Sequence, residues 1–249
     1  MIINIRANYP LFITLTIFLL LPLTATAQMF SVGDPEPERE RIPGFYSVIS
    51  AGWEFATFDY TGGAASAAER LDFDDSVLRF RLDTPGLDIS IGLGGRLTGM
   101  NENSLVNINA RLFNSLQLYR RQNVVVLVPI QITTDLLRVS RNNIDSEFQQ
   151  SSLTLGTGLE SALRISDSID FSIKGTPNYG FSFAQGNLFG GSLFRLDGRA
   201  QFFFRNLIGR HALSIGYHFD YRKYDIDDTN GDLNDYDFTS HSITIGYAF

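Results

Sequence analysis

Cysteine is missing from all 249 positions, which removes a disulfide framework, a thiolate metal site and a cysteine nucleophile from consideration. Proline is sparse, at 8 residues, so few positions interrupt a sheet ladder. Basic clusters are also lacking: 20 Lys and Arg stand against 27 Asp and Glu, for a formal charge of -7. An acidic chain without a basic patch is a poor nucleic-acid binder, and no nucleic-acid partner is expected. After residue 23 no apolar run approaches the ~20 residues that a membrane-spanning helix needs.

The one long apolar run, residues 11–23, follows a short segment holding Arg6 and precedes the small-residue site Ala25-Thr26-Ala27. Residues 1–27 therefore read as a secretory signal peptide, cleaved before Gln28. Residues 28–44 contain Asp34-Pro-Glu-Pro-Glu-Arg-Glu-Arg41 with no apolar period, and read as a solvated periplasmic leader.

What the chain has in quantity is Phe (21), Tyr (10) and Gly (22), a composition of strands with aromatic belts. From residue 45 onward, apolar and polar residues alternate in segment after segment. Phe45, Ile49, Ala51, Trp53 and Phe55 share one face over residues 45–58, against Gly52 and Glu54. Leu78, Phe80 and Leu82 oppose Arg79, Arg81 and Asp83, and beyond the turn Thr84-Pro85-Gly86 Ile89 and Ile91 oppose Asp88, Ser90 and Arg96. Val106, Ile108, Ala110 and Leu112 oppose Asn107, Asn109 and Arg111. Residues 124–139 make a fifth strand, with Ile130 and Ile132 opposite Gln131 and Thr133 and a ladder interrupted at Pro129.

In the second half, Leu153, Leu155, Leu159 and Leu163 face away from Thr154, Gly156, Gly158, Glu160 and Arg164. Phe171 and Ile173 face away from Asp170 and Lys174, and Phe202 and Phe204 from Arg195, Asp197, Arg199 and Gln201. Ile215, Tyr217 and Phe219 oppose Ser214, His218, Asp220 and Arg222. Short turns at residues 84–86, 120–123, 166–168 and 205–210 alternate with longer loops. Charges at every second residue exclude strands buried on both faces.

The final segment, residues 238–249, places Ile243, Ile245, Tyr247 and Phe249 on one face and Ser242, Thr244, Gly246 and Ala248 on the other. It resembles the C-terminal signal strand of bacterial outer-membrane β-barrel proteins, with aromatic Phe249 at the end, Tyr247 two before it and Ser242 at the polar position. Thr244 stands where that family often has glycine. The resemblance implies an all-β fold: a closed antiparallel transmembrane β-barrel over residues 45–249. The segments give about ten strands, with eight and twelve as the alternatives, and the location implied is the bacterial outer membrane. Outer-membrane lipid and lipopolysaccharide are the implied surroundings, and the barrel-assembly machinery the implied reader of Tyr247 and Phe249.

The largest chemical constellation is the inward set of charges: Arg79, Arg81, Glu160, Arg164, Arg195, Asp197, Arg199, Asp220 and Arg222, joined by Asp83, Asp88, Arg96, Arg111, Asp170 and Lys174. A ten-stranded lumen is narrow enough for side chains to fill. The leading expectation is a structural or surface-interaction barrel with a lumen plugged by paired charges. The alternative is a narrow porin-like channel for small solutes. A third reading is a barrel enzyme acting at the outer rim, as in the omptin-like proteases or lipid A-modifying barrels, none of whose motifs is recognisable here.

For that third reading the candidates are His218, Asp220 and Ser214, the residue types of a nucleophilic triad. Neighbours two apart on a strand lie roughly 7 Å apart, a spacing that does not by itself orient a triad. The acidic loop 225–237 holds Asp228, Asn230, Asp232 and Asn234 in alternation as oxygen ligands for Ca²⁺. Its glycine, however, is out of register with an EF-hand and Thr239 stands where the closing glutamate would be. A solvated loop able to meet divalent cations at the cell surface is the plainer reading. No cofactor is expected.

Overall fold

The computed structural model describes residues 45–62, 71–142, 147–184, 188–209, 211–226 and 234–249. The expected signal peptide and leader lie outside the described residues, as do Asp228, Asn230 and Asp232. The strands are β1 (Val48–Gly62), β2 (Phe73–Thr84), β3 (Leu87–Gly94), β4 (Asn103–Arg121), β5 (Val124–Arg141), β6 (Glu147–Thr157), β7 (Leu159–Ser166), β8 (Ile169–Ala184), β9 (Leu188–Ile208), β10 (His211–Asp225) and β11 (Asn234–Ala248). β6 and β7 both lie between β5 and β8 and are two halves of one stave. The sheet therefore has ten staves and closes where β1 pairs with β11, from Val48↔Ala248 to Gly62↔Asn234. Every pairing is antiparallel.

The expected faces hold through the middle of the wall. Ile49, Trp53, Phe55, Phe80, Ile91, Ile108, Ile132, Leu155, Ile173, Ile215, Ile243 and Ile245 are exposed, while the charges between them are buried. An exterior of large apolar side chains around a polar interior is the inside-out arrangement of a barrel in lipid. Short turns mark the periplasmic end. At one of them Gly86 takes φ 96°, a left-handed conformation open to glycine at no steric cost.

Two features depart from the sequence reading. Arg96 is not in the lumen: β3 ends at Gly94, and Arg96 sits exposed in a 3₁₀ turn, Arg96–Thr98, where Gly95 N–H donates to Thr98 Oγ1 at 3.0 Å. Strand parity has no hold beyond the strand. The staves are also longer than expected toward the outer end, with β2 starting at Phe73 and β1 running to Gly62.

In those extensions the polarity inverts. Asp59, Asp74, Arg138, Gln149, Lys223 and Asp237 face outward and are exposed, while Ala56, Phe58, Tyr60, Phe73, Val77, Leu105, Leu137, Val139, Phe148, Leu193, Tyr236 and Phe238 face inward and are buried. Here the barrel is built like a soluble one, as a collar standing in water with an apolar core. Phe58 lies at its centre, with ring centroids 5.6 Å from Phe73, 6.0 Å from Phe148 and 5.2 Å from Tyr236. Leu71, Met100 and Ile226 close over the top.

Truncating a fully buried phenylalanine in such a core costs about 3–5 kcal/mol. Phe58→Ala should therefore lower the temperature at which the compact electrophoretic band of the folded barrel converts to the unfolded band, whereas lipid-facing Phe55→Ala should move it far less.

Candidate functional site: a sealed and charged lumen

Below the collar the lumen holds seven cationic side chains, Arg79, Arg81, Arg111, Lys174, Arg195, Arg199 and Arg222, and seven carboxylates, Glu54, Asp83, Asp88, Asp135, Glu160, Asp197 and Asp220. Inward strand parity brings them into the lumen, where bridges between neighbouring staves, such as Arg79–Glu54 and Arg111–Asp88, are joined by others that cross the barrel. Arg111 on β4 donates to Asp197 on β9, and Arg199 on β9 to Asp83 on β2. Arg222 on β10 reaches Asp135 on β5 at 2.7 Å and Asp220 at 2.7 Å.

The network has an upper and a lower branch. In the upper one, Glu54 accepts both Nε and Nη2 of Arg79, whose Nη1 donates to Asn107 Oδ1 at 3.2 Å. Asn107 Nδ2 then donates to Asp135 at 2.9 Å. In the lower one, Asp88 lies 3.4 Å from Arg81 and 3.5 Å from Arg111. Arg195 joins the branches, 2.8 Å from Asp220, 3.2 Å from Asp197 and 3.5 Å from Asp135. Forked guanidiniums suit this role because each can satisfy two carboxylates at once. Lys174 also lies over the Phe113 ring at 4.3 Å.

Both ends of this layer are closed. Toward the outside stands the aromatic collar, joined to the charges by Arg222 over the Phe238 ring at 4.9 Å. Toward the periplasm, Val48, Phe203, Ala212 and Ala248 form a small apolar cluster. Tyr46, just before β1, covers it, with its ring 4.7 Å from Phe203 and its hydroxyl donating to Asp170 at 2.6 Å. Arg164 and Arg205 flank Asp170 at 3.4 and 3.7 Å. The space left among Glu54, Arg79, Arg81, Lys174 and His218 is about 20 Å³, room for roughly one water.

The sequence-derived candidates separate accordingly. All nine lumen charges named above face inward, Arg164 at the periplasmic edge. His218, Asp220 and Ser214 do not form a relay. Arg81 Nη1 donates to His218 Nδ1 at 2.9 Å, which leaves the ring proton on Nε2, 3.2 Å from Thr244 Oγ1, while Asp220 is occupied by Arg195 and Arg222. His211 lies against Tyr247 and His241 against Tyr217, both on the outer surface, so the three histidines do not meet. Asn234 opens β11 opposite Gly62. Tyr247 and Phe249 are exposed and stacked, 6.0 Å between ring centroids.

Asp135 and Glu54, which complete the charge balance, were not in the sequence-derived site. Both continue an inward parity already set, Asp135 after Gln131 and Thr133 and Glu54 after Gly52. Counting on by twos past Pro129 would have found Asp135.

No protein-family model matches the sequence, and no curated protein does so. Among solved structures, the chain is similar to the outer-membrane protease OmpT from Escherichia coli, at 9% identity and TM-score 0.44 over 82% of this chain and 96% of that one. It is similar also to the attachment invasion locus protein Ail of Yersinia pestis, at 13% identity and TM-score 0.27 over 82% and 98%. A third is the translocator domain of autotransporter NalP from Neisseria meningitidis, at 10% and 0.35 over 95% of both chains. One of these is a protease and another an attachment protein, so likenesses of this degree assign no role.

The class follows from the geometry: a closed, even-staved antiparallel barrel with an apolar exterior is an integral membrane β-barrel. Its fold is that of the small β-barrels of bacterial outer membranes.

Removing one partner of a buried ion pair strands the other and costs about 3–5 kcal/mol, whereas removing both can be nearly neutral. Asp135→Leu should accordingly lower the denaturant midpoint of the detergent-folded protein strongly, and Arg222→Met combined with Asp135→Leu should recover part of that loss.

Proposed function

We propose that the protein is a non-conducting and non-enzymatic barrel whose role is structural or lies in surface interaction, with the lumen serving as its core rather than as a path. The observation that carries this reading is the double closure of the charged layer, by the Phe58 collar above and the Tyr46 cover below. The layer is neutralised largely within itself, its arginines paired with carboxylates and Lys174 set over the Phe113 ring. His218 in the same layer is committed to Arg81 and Thr244.

On this reading the working surface is the collar and the loops above it. Asp59, Asp74 and Asp237 stand exposed near one another across β1, β2 and β11, where Asp59 pairs with Asp237 in register. Negative charge at that height suits divalent cations bridging to lipopolysaccharide, and the sequence of 225–237 is itself acidic. Insertion would rest on the barrel-assembly machinery engaging β11 through Tyr247 and Phe249.

Planar-bilayer recording on the purified, heat-modifiable protein tests the reading. The expected record shows no discrete conductance, and none for His218→Ala. Stepwise openings that Phe58→Ala or Phe148→Ala enlarge would replace this proposal by the narrow-channel one.

A further inference from the structure

The β6–β7 stave breaks its ladder toward both neighbours, at the adjacent residues Thr157 and Gly158. β5 pairs with the β6–β7 stave at Ile130↔Thr157 and again at Leu127↔Glu160, in unchanged register. Pro129 falls opposite Gly158 in the gap. On the other side, pairing with β8 stops at Gly156↔Asn178 and resumes at Leu159↔Gly175, again in register, with Pro177 opposite Thr157. A proline has no N–H to give a neighbouring strand, so two prolines set across one stave leave a seam without slipping the strands.

On the lipid side of this seam is an apolar groove of about 330 Å³ between Leu155, Tyr179 and Phe194. Its floor includes Gly156 and Asn178, both of which belong to the lumen face. A Cβ at residue 156 would sit 2.8 Å from the backbone oxygen of Pro177 as well as against the Asn178 side chain, so the position favours glycine. Glycine thus keeps the wall one backbone thick. Behind the floor, Gln131 Nε2 donates to Asn178 Oδ1 at 2.7 Å. Around that pair, Gln131 Oε1 and the hydroxyls of Thr133, Thr154 and Thr176 have no hydrogen-bond partner among the described residues, although each residue is at least 98% buried.

Buried polar atoms without partners are costly; of the eleven such side-chain atoms among the described residues, these four lie behind this interrupted stretch of wall. We propose that the seam is a lateral binding site for a single-chain amphiphile from the bilayer, its hydrocarbon chain in the groove and its small uncharged head, such as a hydroxyl, drawn to the Thr176 and Asn178 side. The chain is specified by continuity, since the groove opens onto the lipid-facing belt and its walls are apolar. The head is specified by the cluster, which offers the Thr hydroxyls and the Gln131 amide oxygen, while Asn178 is held by Gln131 and Asp197. The site does not depend on a conducting lumen.

A photoactivatable long-chain alcohol, with the reactive group in its chain, is the probe. It is added to the full-length protein in phospholipid vesicles, and the cross-links are mapped by mass spectrometry. Cross-links concentrated at residues 155–157, 177–179 and 194 are expected, competed by the plain alcohol and about tenfold less well by the matched alkane, the value of about one hydrogen bond. Thr157→Trp, which fills the groove, should abolish them. Thr176→Val, which removes an unpartnered hydroxyl, should keep the labelling but erase the preference for alcohol over alkane. Both variants are scored only if their folded electrophoretic band persists. Labelling spread evenly to belt positions such as Trp53 and Ile243, or equal competition by the alkane in the unsubstituted protein, would overturn the proposal.

Discussion

A charge shut inside a barrel in a membrane has no water to fall back on, and the rest of this structure follows from meeting that condition. Desolvating a guanidinium or a carboxylate costs several kcal/mol, offset by close opposite charge. Equal numbers of cations and carboxylates meet it in sum. Cross-lumen pairs such as Arg111 with Asp197 and Arg199 with Asp83 meet it locally. The price of this neutrality is specificity of another kind: the cross-lumen bridges tie distant staves together, so the lumen holds the wall in one shape.

Each stave passes through two solvents, and the change is written along single strands. On β1, Trp53 and Phe55 face lipid while Glu54 faces in, and a few residues on Asp59 faces water while Phe58 and Tyr60 face in. The backbone geometry is the same on both sides of the boundary. Only the medium outside differs, and the side chains that serve as core change with it. The collar is the part of the barrel where the ordinary hydrophobic effect operates, and it seals the part where it does not.

The faces of the staves were legible from period-two alternation because the alternating residues differ sharply in polarity, as with Arg79 and Phe80 or Asp220 and Phe219. Closure and strand pairing were legible from the last strand and the rhythm of turns. The collar was harder to read, because Leu105 beside Val106 and Leu137 beside Leu136 are apolar on both faces and give no contrast. Glu54 and Asp135 carried the right parity but stood alone among neutral neighbours. The seam could not have been foreseen in full: Pro129 announces an interrupted ladder, but that Pro177 flanks the same stave is a matter of register, which no local pattern encodes.

The pairing of β1 with β11 joins the two ends of the described barrel, with Ser47 N–H donating to Phe249 O and Phe249 N–H to Ser47 O. Until the last strand has been made, the lumen is an open trough and its charges remain hydrated. Closure and dehydration of the ionic layer therefore coincide in time. Contacts between the earliest and latest strands are slow to form because the whole intervening chain must be ordered first. In structural terms β11 is a latch: the ion pairs it encloses are a core only while it pairs with β1.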